Sequence, residues 1–395
     1  MSTVNAVPFL ANSAGTDLTS LGLKMYWGSV VEAYRNGAYL FNTPSNVIAR
    51  KTVTAGKSWQ FLMMADLPEP DDFTPGDTLA GQAYAFEEGT ITADGYVVSH
   101  AMVPKDQIHY AHFDAMGMLG ASQGARLARK INKRLNITGC LAARTASASK
   151  NGLTIHNGGN RVTRGGSTSG SSSTSVTAAY PRSPLGASNF RSDLRLLARR
   201  MDEDQIPREG RLLIITPYMH EVMLNDATYV LDVGTPNNVR HSFTNSTLFS
   251  EDYARGTGND VNTRTIRVVE GFQIVQIENW SSMGGSMPDE NIVTGPSKYQ
   301  ANFTPNSTTS GTPVALALCA GQGGVAPIGM VIFEGLEHDE EYLIRNKCYF
   351  MAASVFNGAG VLHPWCAGSI EVTNDTLNTV ASLSGTTADS GAYTG

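Results

Sequence analysis

The sequence predicts an α+β fold organised around one long helix, and three observations carry that prediction. Residues 104–136 hold the longest helical pattern in the chain. Residues 66–95 form a turn-rich, acid-laden segment flanked by extended runs. Residues 211–224, RLLIITPYMHEVML, step from an apolar strand into a helix, as α/β and α+β domains do.

From the N-terminus, residues 1–22 are small and polar and read as an arm that orders only on binding a partner. Residues 23–43 read as a short helix with Met25, Val30 and Tyr34 on its apolar side. Residues 47–64 alternate as a strand that places Trp59, Phe61 and Met63 on one face. Next, Pro68, Pro70, Pro75, Gly76 and Gly81 punctuate a long protruding hairpin. Residues 66–94 carry Asp66, Glu69, Asp71, Asp72, Asp77, Glu87, Glu88 and Asp94 with no Lys or Arg. So acidic a segment, short of apolar residues, needs a surface to lie on.

In the long helix, Pro104 suits the first turn and Asp106 the positive helix end. Phe113, Gly117, Gly120, Gly124, Leu127, Ile131 and Leu135 recur at spacings of three and four and share one face. Three interior glycines cost about 1 kcal/mol each relative to alanine, so another backbone must pack closely there. Arg126, Arg129, Lys130, Lys133 and Arg134 form a separate basic face.

Residues 145–189 follow as a loop, almost wholly Gly, Ser and Thr over 165–175. Asn189 is placed to cap a second helix with Phe190, Leu194, Leu197 and Met201 inward, ended by Pro207. A buried strand at 211–215 leads through Thr216-Pro217 into a helix with Tyr218, Val222 and Met223. Beyond it, 265–269 and 272–277 read as a hairpin across Gly271, between polar loops at 230–262 and 281–311. Strands follow at 314–319, 328–333 and 369–373. Residues 341–356 fit neither the helical nor the strand period, and 374–395 are a low-complexity tail.

Composition narrows the function. Net charge is −6, which gives no global nucleic-acid signature, yet residues 100–211 hold 17 basic residues against 7 acidic ones. That basic region and the acidic hairpin predict electrostatic matching, within the chain or between copies; the basic face could also meet phosphates. Cys140, Cys319, Cys348 and Cys366 are scattered without a CxxC, as expected of reduced thiols. No signal peptide is evident, and no apolar run approaches a membrane span.

The motifs do not assemble into catalytic chemistry. Gly120-Ala-Ser122-Gln-Gly124 matches a nucleophile elbow, but Ser122 falls inside a helical pattern rather than on a strand-to-helix turn. His109 and His112, with His100 upstream, lack a completing ligand, and His220-Glu221 lacks the second histidine of a zinc-protease motif. The sequence therefore predicts no catalytic residue, no cofactor and no metal.

The order of segments resembles the major capsid proteins of tailed bacteriophages, the Hong Kong 97 fold, in detail those of short-tailed podoviruses related to phage T-seven. The carrying segments are 47–64 with Gly56-Lys-Ser, Phe73-Thr-Pro-Gly76, Ile91-Thr-Ala-Asp-Gly95, His109–Leu135, 211–224, 266–280 and 341–371 with Asn357-Gly-Ala-Gly360-Val-Leu-His-Pro-Trp365. The resemblance implies an N-terminal arm (1–46), an extended β-hairpin loop (47–99) lying across the adjacent subunit, and a peripheral domain (100–211) with the spine helix. It implies an axial domain (212–335), a return to the peripheral domain (336–373) and a tail (374–395). It makes the glycine stripe a seam against the peripheral sheet. It also implies self-assembly into hexamers and pentamers of an icosahedral virion shell around double-stranded DNA, built with a scaffolding protein and a portal protein. The Gly/Ser loop at 165–175 and the polar loops at 230–262 and 281–311 depart from the family pattern as additions, open to either a decoration protein or neighbouring capsomers; no membrane is implied. Encapsulin-like compartment shells share the fold, and a serine hydrolase using Ser122 is the enzymatic alternative.

Overall fold

The computed structural model describes residues 19–37, 47–54, 56–65, 69, 72, 81–105, 115–165, 167–168, 176–177, 180, 184–224, 268–277, 287–304, 311–321 and 324–373. Helix α1 spans Thr19–Gly37, and the spine helix α2 spans Ala115–Arg144. Helix α3 covers Pro184–Glu203 and α4 Pro217–Leu224. The spine thus runs to Arg144, past the expected end at 136, because Ile137, Cys140, Ala142 and Ala143 continue the buried face. Its expected start is corrected: Pro104 closes a strand, β4 (Gly95–Pro104), whose apolar alternation outranks the local helix-start signal.

Two sheets flank the spine. The first, ordered β1-β16-β17-β4, combines β1 (Ile48–Thr52), β16 (Ile328–Leu343), β17 (Cys348–Val361) and β4. The segment 341–356, ambiguous in sequence, is therefore strand, interrupted by a turn at 344–347. Much of β17 is buried, which erases the alternation a half-exposed strand shows. The second sheet, ordered β11-β12-β10-β15-β18-β7, contains β11 (Val268–Val269), β12 (Phe272–Gln276), β10 (Leu212–Ile215), β15 (Thr312–Leu318), β18 (Ala367–Thr373) and β7 (Asn160–Gly165). The expected hairpin at 265–277 turns at Glu270-Gly271, both left-handed. One core joins Leu127, Ile131 and Leu135 of the spine to both sheets; a second lies under α3 and α4, with Phe190, Leu194, Leu197 and Met201 inward as expected.

Two further expectations change. Asn189 is inside α3 and does not cap it, since the helix starts at Pro184, where proline is tolerated in the first turn. The region 145–189 is not one loop: β5 (Ala148–Lys150) and β6 (Leu153–His156) make a hairpin across Asn151-Gly152, both at positive φ, and β7 follows. Short strands pair beyond it, β8 (Ser167–Thr168) with β9 (Val176–Thr177) and β13 (Asn291–Ile292) with β14 (Ala301–Asn302).

Charged side chains lock the second sheet to the spine. Glu371 on β18 is wholly buried and accepts from Arg144 Nε at 2.8 Å, Arg144 Nη2 at 3.0 Å and Arg161 Nε at 2.8 Å. Arg144 also donates to the carbonyls of Asn302 and Gly311 and lies over the Phe303 ring. Buried Arg211 donates to Asp202 at 2.6 Å and to Ile206 O and Pro207 O.

Candidate functional site

The glycine stripe does meet a backbone, as the spacing requires, but its partner is α1 and not the sheet. A Cβ on Gly120 would stand 2.7 Å from Tyr26 O; one on Gly124 would run into Val30 O and stand 3.1 Å from Tyr34 N. The two helices approach so closely that only hydrogen fits there, and Tyr26 and Val30 are fully buried in the seam. Gly117 is half-buried, Leu127, Ile131 and Leu135 are buried, and Phe113 lies outside the described residues. Ser122 is exposed mid-helix, so the strand and turn of an elbow are missing around it.

The protruding hairpin is β2 (Ser58–Met64) paired antiparallel with β3 (Phe86–Thr92), from Ser58↔Thr92 to Met64↔Phe86. Trp59, Phe61 and Met63 do share one face, and it packs on this chain's own body. There Ile91 enters a slot made by the paired glycines Gly329 and Gly360. The other face is exposed and apolar at its far end: Leu62 (64%), Met64 (50%) and Phe86 (38%), with Tyr84 edge-on to Phe86. Glu88 stands opposite Leu62 on that exposed face, and Glu87 is half-buried on the other. Glu69 and Asp72 are exposed, while Asp66, Asp71 and Asp77 lie outside the described residues.

At the hairpin base the eighth acid, Asp94, is already neutralised within the chain. Lys298 Nζ lies 2.6 Å from its carboxylate, Tyr299 donates to it at 2.7 Å, and Arg134 stands 3.8 Å away. Burial, with Asp94 beside it, pushes the Tyr299 hydroxyl well above the usual tyrosine range, which keeps it a donor. The basic face of the spine therefore divides. Arg134 serves Asp94, and Lys133 pairs with Glu290 at 3.4 Å. Arg126 and Lys130 are exposed, and Arg129 is half-buried. His100 lies tilted against the Phe350 ring, His220 is buried, and His109 and His112 lie outside the described residues. Among the described residues no group of His, Cys, Asp and Glu is arranged to hold a metal. All four cysteines are buried and unpaired, and no described helix is long and apolar enough to cross a membrane.

The sequence did not expose two features. On the outer face of the first sheet, Tyr96 (56%), Val98 (49%) and Met102 (54%) of β4 make an exposed apolar row, legible as alternation once the strand is recognised. One strand further in, across β17, β16 carries Glu334, Glu337, Asp339, Glu340 and Glu341.

A spine helix crossed by a sheet, with a long side hairpin and a second mixed sheet, is the α+β architecture of Hong Kong 97-like capsid proteins. Solved structures bear this out. The chain superposes on the capsid of cyanophage P-SCSP1u with a TM-score of 0.59 and 21% identity, covering 83% of this chain and 87% of that one. On the mature capsid of bacteriophage PhiM1 the TM-score is 0.58 at 14% identity, covering 83% and 86%. At such identities the likeness is one of fold. No protein-family model matches the chain, and no curated protein matches it in sequence.

Proposed function

We propose that this chain is the major capsid protein of a tailed phage, of the short-tailed kind related to phage T-seven. It self-assembles into hexamers and pentamers of an icosahedral shell that encloses double-stranded DNA, with a scaffolding protein during assembly and a portal at one vertex. The observation that carries this reading is the β2–β3 hairpin within the capsid fold. Its inner face is satisfied by its own subunit, while its outer face leaves Leu62, Met64, Tyr84 and Phe86 exposed, with no other described element packed on them. Exposed apolar patches of this kind mark interaction surfaces. In this reading the β2–β3 hairpin is the extended loop over an adjacent subunit, the spine with the first sheet the peripheral domain, and the second sheet with α3 and α4 the axial domain. Arg126, Arg129 and Lys130 take acids of a neighbouring hairpin or the enclosed DNA. Each contact is weak, and many per copy add to a stable lattice.

The test is electron microscopy of the full chain co-expressed with a scaffolding protein. Large closed particles are expected; a chain that stays monomeric overturns the reading. Reversing Asp71, Asp72, Glu87 and Glu88 to Lys is expected to block assembly, and normal shells from that variant would sink the role given to the hairpin acids.

A further inference from the structure

Strand β16 pairs with β1 only over its first five residues, Ile48↔Ile328 to Thr52↔Ile332, with one more bond from Val53 N to Ile332 O. From residue 333 to Leu343 its outer edge has no partner strand among the described residues. An open edge that long is a template for pairing unless charge or cover blunts it. Here Glu337, Asp339 and Glu341 alternate along it on one face, roughly 7 Å apart. All three are exposed, and none has an ion-pair partner in this chain among the described residues. Glu340, on the opposite face, lies 3.3 Å from His338.

The same hairpin ends in the reverse charge. The turn after Leu343 exposes Ile344 (79%), Arg345 and Lys347, and these two cations also lack ion-pair partners among the described residues. Lys105 lies nearby over the Tyr342 ring. The tip cannot fold back onto its own acidic row: β16 and β17 are in continuous register from Leu343↔Cys348 to Glu337↔Ser354. Glu337 stands about 23 Å along the strand from Ile344, at 3.3 Å per residue.

We propose that the β16–β17 tip of one copy docks on the acidic outer edge of β16 in a second copy, pairing Arg345 and Lys347 with Glu337, Asp339 and Glu341. The contact rests on the shell reading above and is distinct from the β2–β3 hairpin, whose own acids are repelled by this edge. It is a head-to-tail contact, with different surfaces on the two copies, and so closes as a ring or runs on as a lattice. Like-charged neighbours along β16, which meet no counter-charge among the described residues, gain theirs on association. Ile344 adds an apolar anchor at the centre of the tip.

Three full-length variants test this, each co-expressed with the scaffolding protein as for the wild type. E337K/D339K/E341K and R345E/K347E are each expected to cut the yield of closed particles about tenfold, since several weak pairs are lost in every copy. The combined five-site swap is expected to restore most of it. All five residues are exposed, so circular dichroism of the unassembled chains should match wild type. Wild-type particles with either half-swap assembling normally, or with folded half-swaps that the combination does not rescue, overturn the contact alone. A wild type that never leaves the monomer overturns the shell reading and this contact with it. As a second measurement, D339C/K347C chains in particles should form an oxidised ladder that neither single variant forms, because the native cysteines are buried; no ladder rejects the contact.

Discussion

Asp289 is only 8% exposed, next to Glu290 and close to the spine at Lys133. Burial, aided by Glu290 and opposed by Lys133, pushes its carboxyl up to about 7. A carboxyl whose folded pKa is raised binds its proton more tightly in the native state than in the unfolded chain. Its contribution to stability is therefore full below the unfolded value of 3.8 and is lost as pH rises to about 7. Asp289→Asn removes this liability while keeping shape. The variant should melt above wild type at pH 8, by on the order of a few kcal/mol at most, with the gain vanishing below pH 4. Thermal unfolding of the unassembled chain across that range checks it. An advantage independent of pH would mean that Asp289 is ionised in the fold. Glu371 is buried among partners: two arginines donate to it, so replacing its carboxylate would strand Arg144 and Arg161.

Between elements, the α1–α2 seam separates propensity from packing. Gly28 in α1 is exposed with nothing within 4 Å of a Cβ, so Gly28→Ala should stabilise by about 0.5–1 kcal/mol through helix propensity alone. Gly124→Ala gains the same propensity but drives a methyl into Val30 O, and should instead destabilise by about 1–3 kcal/mol. Opposite signs in urea unfolding are expected; two stabilising substitutions would mean the seam is loose. The stripe was legible because helical period places Gly120, Gly124, Leu127 and Ile131 on one face whatever they touch. Its partner was not legible, since nothing in a row of glycines distinguishes a facing helix from a sheet. The β5–β6 hairpin was missed: its two-residue turn, Asn151-Gly152, is hidden among the other glycines of a segment whose composition reads as loop. The Glu371 hub was not, because a glutamate in a short strand reads as surface until two distant arginines are seen to converge on it.

At the scale of the whole molecule, charge sets how copies meet. Each copy carries −6, so copies repel at long range, while the contacts proposed between them join opposite charges at short range. Salt acts on the two at different distances. Near 0.15 M the screening length is about 8 Å, enough to damp repulsion between whole subunits; at 1 M it is about 3 Å and reaches the ion pairs themselves. Particle yield from wild-type chains should therefore rise from low salt to about 0.15 M and fall again toward 1 M. The R345E/K347E variant, lacking one set of pairs, should lose the falling limb first. Light scattering and sedimentation across a salt series measure this. A yield that climbs steadily to 1 M would show that the apolar faces, Leu62, Met64, Tyr84 and Phe86 against a neighbour, outweigh the charges. Excluded salt strengthens apolar burial while it weakens ion pairs, so the two sources of cohesion predict opposite slopes.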